Sequence, residues 1–556
     1  MRKPIIDWQL NRSTIELERL PAPFHPEDRR NPIVRQSDMD ARKNYLVTFF
    51  WGVGGILTSS IISFISAPIS LNYWKVERYG LWALLYSVMQ YLIIANFGVG
   101  QAATILIGKN IKYKSKIIIL RRSATILFLS IAFVILVIVI LHFHNVDWVT
   151  LLGRIPEHLK NEGRTAGIFI VLFFFINLPF TLVTSMLNGC QKAYIENFFL
   201  LLTSIANLVG LIFVISLRLT LKHLAIVNGF IALGLNLVKL ILTYFVLRKE
   251  VSDFVKDDVE SNRDLAYSTI LKTSVRCFLV WLAATLVYNT DNFIVSNMMG
   301  LKEVMPYSIT YRLYSISHTF IFTFIGSMAP LMARAFGAND WEWIDRNYGR
   351  FMTLASFLGG LIFIGGLAFC HDLILLWVGP KAFAGVGVLL ALGAYSYLLS
   401  MTNLNFNIIN SFNYTKGIWL VSYLEGFIKI SLSVALAKVW GLAGIAAGTA
   451  FGSLLGPTWI YMMVIHRRSK KMIHIPLRGI AKHFSYCVLP VIICLILIQS
   501  SFSTPLPRIL GGFIFTVAYC ALSYVIWPKK VKNDIQERFR EIIQRIIGGI
   551  KKSLIA

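Results

Sequence analysis

RKEVSDFVKDDVESNRDLAYSTILK (248–272) is the longest charged segment lying between apolar runs in this 556-residue chain. Six apolar runs precede it, near 45–71, 81–107, 123–142, 166–187, 197–217 and 223–247. Six follow, near 275–299, 307–329, 351–371, 386–409, 418–437 and 442–465, and two more close the series at 484–502 and 508–527. A helix needs about 20 mostly apolar residues to cross a bilayer core. Lipid satisfies no backbone polar group, so runs of this kind must be helical. With 56% hydrophobic residues and a mean hydropathy of +0.64, little chain remains for a soluble domain. The sequence therefore predicts an all-α polytopic membrane protein of about 14 transmembrane helices. Residues 45–247 form one six-helix half, 248–274 a connector, 275–465 a second half, and 466–527 carry two extra C-terminal helices. An even number of helices per half implies parallel repeats about the membrane normal, with a cavity between them.

The formal charge of +26 invites a nucleic-acid reading, but its distribution decides otherwise. With fourteen crossings, 39 of the 54 Lys and Arg fall in the two termini and the links on the same side as the termini. That asymmetry is the positive-inside rule and predicts that both termini are cytoplasmic, in a multi-pass protein of the cell membrane. Residues 1–44 hold Pro21, Pro23, Pro26 and Pro32 among charges and no apolar core, so they read as a cytoplasmic extension rather than a signal peptide. In 528–556, Val531, Ile535, Phe539, Ile542, Ile546 and Ile550 recur at three- and four-residue steps among Lys and Arg. This is a basic amphipathic helix for the cytoplasmic leaflet, or a docking helix for a partner. The six cysteines form no CxxC and indicate neither a disulfide framework nor a metal site. No Walker A run, paired-metal spacing or large outward loop is present, so neither an enzyme nor a cofactor is expected.

An ionisable side chain near the bilayer centre costs about 3 kcal/mol on insertion scales, which makes each one a site hypothesis. Here they are Lys239, Arg276, Asp291, Arg312, Glu425 and Lys429. Snorkelling toward the membrane surface is an alternative for Arg276 and Lys239, which lie near helix ends. Asp291 and Arg312 sit roughly 13 and 9 Å deep in consecutive helices at 1.5 Å per residue, so the two are expected within reach of each other. They either form a buried ion pair or divide the work, Arg312 holding an anionic substrate and Asp291 carrying a coupling proton. Ser308, Arg312, Ser315 and Thr319 share a helical face suited to a polar cavity wall, with Tyr307, Tyr311, Tyr314 and His318 beside it. Glu425 and Lys429, four apart, are expected to neutralise each other. Asn403, Asn407 and Asn410 share a face whose amides suit hydroxyl-rich ligands or hydrogen bonding between helices.

Three stretches carry a resemblance: YWKVERYGLWALLYSVMQYLIIANFGVGQA (73–102), LNGCQKAYIENFFLLLTSIANLVGLI (187–212) and YNTDNFIVSNMMGLKEVMPYSITYRLYSI (288–316). The first resembles an "LG-x-E-x-YG-x-W … D-x-G-x-G" pattern with Asn96 at the usual Asp. The third resembles a D-to-G-to-Y pattern at Asp291 and Tyr307. Together they are similar to the polysaccharide (O-antigen) flippases of the multidrug/oligosaccharidyl-lipid/polysaccharide exporter superfamily, over about 44–465. The resemblance implies a MATE-like fold and alternating-access flipping of a polyprenyl-pyrophosphate-linked oligosaccharide for O-antigen, capsule or exopolysaccharide. It also implies membrane lipids, a polysaccharide polymerase and glycosyltransferases as partners. Arg276, Arg312, Lys429 and Lys239 would meet the pyrophosphate, Asn403, Asn407 and Tyr311 the sugars, and Asp291 and Glu425 would serve coupling or ion pairing. A multidrug/cation antiporter, which wants an acidic cavity, and a flippase of peptidoglycan lipid precursors are the alternatives in the same superfamily.

Overall fold

The computed structural model describes residues 32–109, 113–143, 152–252, 266–326, 328–412, 414, 417–501, 505–527 and 532. The expected N-terminal extension up to residue 31, the middle of the connector and the amphipathic tail other than Lys532 lie outside the described residues. Those described form helices and turns without a strand. Among the described residues, twelve helices are long and apolar enough to cross a membrane. Spans 3 to 6 are Ser115–Ile138, Glu157–Gly189, Ala193–Ser216 and Leu221–Leu247. Spans 7 to 10 are Tyr267–Asn289, Leu301–Gly337, Trp341–Trp377 and Val386–Ser411. Spans 11 to 14 are Ile418–Trp440, Leu442–Arg468, Leu477–Leu497 and Leu506–Ile526.

A further apolar pair, Thr58–Asn96 and Val99–Gly108, bends by 53° at its break. At 1.5 Å per residue it would be about 75 Å long, more than twice a bilayer core. Lys75 interrupts it with φ 64 and ψ 180. Neighbours on either side of Lys75 show a reversal. Ser59 meets Ser204 at 2.8 Å and Tyr73 reaches the Leu219 carbonyl, so the chain first runs alongside span 5 to its far end. It then passes Leu301 at Gly80, Thr290 at Tyr91 and Ser274 at Gly98, travelling back along span 7. Thr58–Lys75 and Val76–Gly108 are therefore two crossings, spans 1 and 2, and the total among the described residues is fourteen. The turn at Lys75 lies on the same face as the 217–220, Gly300 and Gly441 turns, called the Lys75 face below.

Several helices overrun the expected apolar cores, since polar turns continue the hydrogen-bonded ladder past the hydrocarbon. Span 4 begins at Glu157 rather than near 166, and span 9 fills Trp341–Trp377 rather than 351–371. Two breaks matter for the site. Phe97 and Gly98, at φ 46 and 72, bend span 2 where a Cβ on Gly98 would stand 2.3 Å from the Ser274 carbonyl, so span 2 touches span 7 backbone to backbone. Span 7 pauses at Thr290 and resumes as Asp291–Met298, with Asp291 in the first turn of that short helix.

Candidate functional site

A cavity of about 670 Å³ lies among spans 1, 2, 4, 5, 6, 7 and 8. Span 1 faces it with Ser59, Ser63, Ser66 and Ser70, at steps of four, three and four that keep one helical side. Asn177, Asn207 and Asn228 project from spans 4, 5 and 6, and Trp82 and Tyr86 from span 2. The side-chain oxygens of Asn207 and Asn228 are buried and accept no hydrogen bond among the described residues. Such acceptors are costly to bury alone and are matched by hydroxyl or N–H donors of a ligand or water. Among the described residues that line it, two carry charge, Asp291 and Arg312.

Those two do not form the expected pair. The Lys429 ammonium lies 2.9 Å from Asp291 Oδ1, with side chains only 1% and 6% exposed. Tyr307 donates its hydroxyl to Asp291 Oδ2 at 2.7 Å, and Lys429 Nζ also donates to the Val287 carbonyl. The acid is thus neutralised from span 11, not span 8. Arg312 turns toward span 1, where Nη1 makes long contacts of 3.4 Å to the Ser63 carbonyl and 3.5 Å to the Tyr79 hydroxyl. Hydrogen bonds of that length are weak, and among the described residues no carboxylate lies within 4 Å of this guanidinium. The cavity therefore presents one uncompensated cation.

The second expected pair is not a direct contact either. Glu425 and Lys429 are both buried on span 11, yet no ion pair within 4 Å joins them. The lysine is drawn to span 7, and the glutamate backbone packs near Gly456. Lys239 is bound 3.0 Å from Glu196 and 3.1 Å from the Thr184 hydroxyl, tying span 6 to spans 5 and 4 outside the cavity. Arg276 is exposed on span 7, away from the cavity walls. Asn403 and Asn407 bond to each other along span 10 and do not line it, whereas Tyr311 does. Ser308 and Ser315 join Arg312 on the wall, as their shared face indicated. The span 1 serines and the three asparagines are not among the residues that the sequence singles out, although the serine spacing is regular.

What places Lys429 is a row of glycines. Gly444, Gly448, Gly452 and Gly456 recur every four residues along span 12. A Cβ on Gly448 would sit 2.3 Å from Ser433 Oγ and 2.4 Å from its backbone nitrogen, and one on Gly452 2.9 Å from Lys429 Cβ. Small residues at this spacing let two membrane helices touch through their backbones. Span 12 thus packs span 11 closely, and Thr449 faces Asp291 at 3.4 Å from the same surface.

The polysaccharide biosynthesis protein family model matches residues 46–336, and the MatE model matches 277–425. A protein described as "Putative O-antigen export protein" in Yersinia pseudotuberculosis is 21% identical over 418 residues, 73% of this chain and 92% of that protein. A "Putative O-antigen transporter" of Salmonella typhimurium is 20% identical over 198 residues, 35% of this chain and 45% of the other. Among solved structures, the lipid II flippase MurJ in an inward closed conformation superposes with a TM-score of 0.60 at 15% identity, covering 86% of this chain and 98% of MurJ. An inward-facing multidrug-resistance MATE transporter superposes at 0.61 and 14% identity, covering 74% and 95%. A match over more than half its length shows that the chain belongs to the polysaccharide biosynthesis protein family, with the fold of the membrane flippases and transporters among which MurJ and the MATE proteins stand.

Proposed function

We propose that this protein flips an oligosaccharide linked through pyrophosphate to a polyprenyl lipid, moving it from the cytoplasmic to the outer leaflet by alternating access. The observation that carries the reading is Arg312, the uncompensated cation in a cavity otherwise walled by serines, asparagines and aromatic rings. A pyrophosphate wants a desolvated guanidinium, which binds phosphate oxygens through two parallel N–H bonds. The amides and hydroxyls suit the sugars, and Tyr311, Tyr86 and Trp82 offer ring faces. The relatives in Yersinia and Salmonella, described for O-antigen export and transport, support a surface glycan as cargo. The basic charge of the face opposite Lys75 supports its cytoplasmic placement and that of both termini. A cation antiporter is the weaker reading, because Lys429 already neutralises the one acid on the cavity wall. Spans 1–6 and 7–12 are the two bodies expected to rock, with Asp291 and Glu425 as the acids available for coupling.

Arg312→Ala is expected to abolish surface glycan and to accumulate its lipid-linked precursor on the inner leaflet, with unchanged amounts of protein in the membrane. Arg312→Lys should restore part of the flux. Normal surface glycan in Arg312→Ala cells sinks the assignment. Accumulation of a peptidoglycan precursor instead moves the protein to the other cargo class.

A further inference from the structure

A second hollow, of about 440 Å³, opens on the membrane-facing side of the seam where spans 2 and 3 meet span 7, and shares no wall with the cavity. Its lining includes Phe97, Ile126, Leu129, Phe133, Tyr267 and Leu271. Ser130 and Ser268 also face it; the Ser130 hydroxyl already bonds the Ile126 carbonyl at 2.9 Å, and the rest of the surface is mainly apolar. Leu129 and Phe133 are 67% and 58% exposed, so protein does not cover the hollow.

The hollow has a polar end. Arg122 lies one turn before Ile126 on span 3, and its guanidinium sits over the Tyr267 ring, 5.1 Å from the centroid. Arg121 beside it is exposed. From Arg122 to Phe133 is eleven residues, about 16 Å along a helix. One leaflet of hydrocarbon is about 15 Å, half of a typical core. A cation at the membrane surface above an apolar slot one leaflet deep matches a lipid whose head is anionic and whose chain runs straight down. Six Lys and Arg within 109–122 put this end on the strongly basic face, where anionic lipids are drawn to basic pockets between helices.

We infer that this seam binds an anionic phospholipid of the leaflet opposite the Lys75 face, its phosphate on Arg122 and one acyl chain in the slot from Ile126 to Phe133. The lipid would bridge spans 2 and 3 to span 7, at the place where Gly98 brings the two halves into backbone contact. This site is separate from the cargo cavity and does not depend on what that cavity carries.

Native mass spectrometry of the detergent-solubilised full chain tests it, titrating phosphatidylglycerol against phosphatidylcholine of identical chains. Wild type should retain phosphatidylglycerol at lower concentration. Arg122→Ala should weaken that adduct about fivefold, the effect of one surface cation on an anionic lipid, and leave phosphatidylcholine unchanged. Arg122→Lys should keep most of the preference. Leu129→Trp, which adds bulk on an already exposed position, should weaken both lipids. Where Arg122→Ala fails to run as a monodisperse species, Arg122→Gln stands in for it. Equal retention of the two lipids by wild type, or wild-type binding by either the Arg122 or the Leu129 variant, overturns the site. Displacement of phosphatidylglycerol by a short isoprenyl pyrophosphate overturns the phospholipid as its occupant.

Discussion

Five residues separate Tyr307 from Arg312 on span 8, a rotation of about 140° at 3.6 residues per turn. With Tyr307 hydrogen-bonded to Asp291, Arg312 must face another way, and it faces span 1. Depth alone placed Asp291 and Arg312 at one level; rotation keeps them apart. The consequence is a division of labour: Asp291 closes a buried polar knot with Lys429 and Tyr307, and Arg312 keeps its charge for the cavity. Removing one member of a buried ion pair leaves the other desolvated and alone, at a cost of about 3 kcal/mol. Lys429→Met is accordingly expected to lower the melting temperature of the solubilised protein sharply. Adding Asp291→Asn should recover most of the loss, because the neutral pair leaves no stranded charge. If the double variant melts no higher than Lys429→Met, the pair is not what holds spans 7 and 11 together. That Lys429 and Asp291 are partners was not legible in the sequence, since 138 residues part them and only the packing of spans 7 and 11 joins them. The neighbours that spacing suggests, Glu425 at four residues and Arg312 across one turn, are local, and local spacing is all a sequence displays.

At the scale of helices, hydropathy located the crossings, including the two within the continuous stretch around Lys75, because burial in lipid acts on composition directly. Faces were harder to read. Ser59, Ser63, Ser66 and Ser70 repeat on one side of span 1, but a serine in an apolar run also bonds back to its own helix, as Ser70 does to the Ser66 carbonyl at 2.7 Å. Only the neighbouring spans reveal that this side borders the cavity. The glycine row of span 12 was equally visible, and its meaning depends on span 11 lying against it. Gly448→Ala puts a methyl group 2.4 Å from the Ser433 backbone nitrogen and 2.6 Å from its Cα, neither of which moves without shifting the helix. Overpacking of this kind costs about 1–3 kcal/mol. Gly365→Ala, in the middle of span 9 with nothing within 4 Å of the added carbon, serves as the comparison and should be neutral or stabilising. Thermal unfolding of the two variants side by side reads the difference. An equal melting temperature for both removes close packing as the reason for the row.

Across the whole molecule, spans 1–6 and 7–12 meet on both sides, at the Gly98–Ser274 contact and on the Lys75 face, and the contacts on the Lys75 face bear on how cargo would pass. On the Lys75 face the Phe64 ring stacks on Trp377 with centroids 4.1 Å apart, and the Trp377 indole donates to the Phe64 carbonyl at 2.7 Å. Nearby, Lys302 lies 3.3 Å from Glu77, the Arg154 amide donates to the Ser296 carbonyl, and Gly80 abuts Leu301. Spans 13 and 14 belong to the same body as span 9, since Arg508 binds Asp372 at 2.9 Å and His483 meets Ser356 at 2.9 Å. On the Lys75 face, aromatic and polar contacts therefore join spans 1 and 2 and the loop before span 4 to spans 7, 8 and 9. The proposed alternating access would require these contacts to part once per cycle; the exposed Glu77–Lys302 ion pair among them contributes about 1 kcal/mol at most. Glu77→Cys with Lys302→Cys, in a background lacking the six native cysteines and joined by a short reducible bis-thiol reagent, should stop export of glycan. Reduction should restore it, and each single cysteine should transport normally with the reagent present. Undiminished export by the cross-linked protein would mean that cargo leaves without this face opening, and the rocking of spans 1–6 against 7–12 would have to be replaced by passage through a lateral gap.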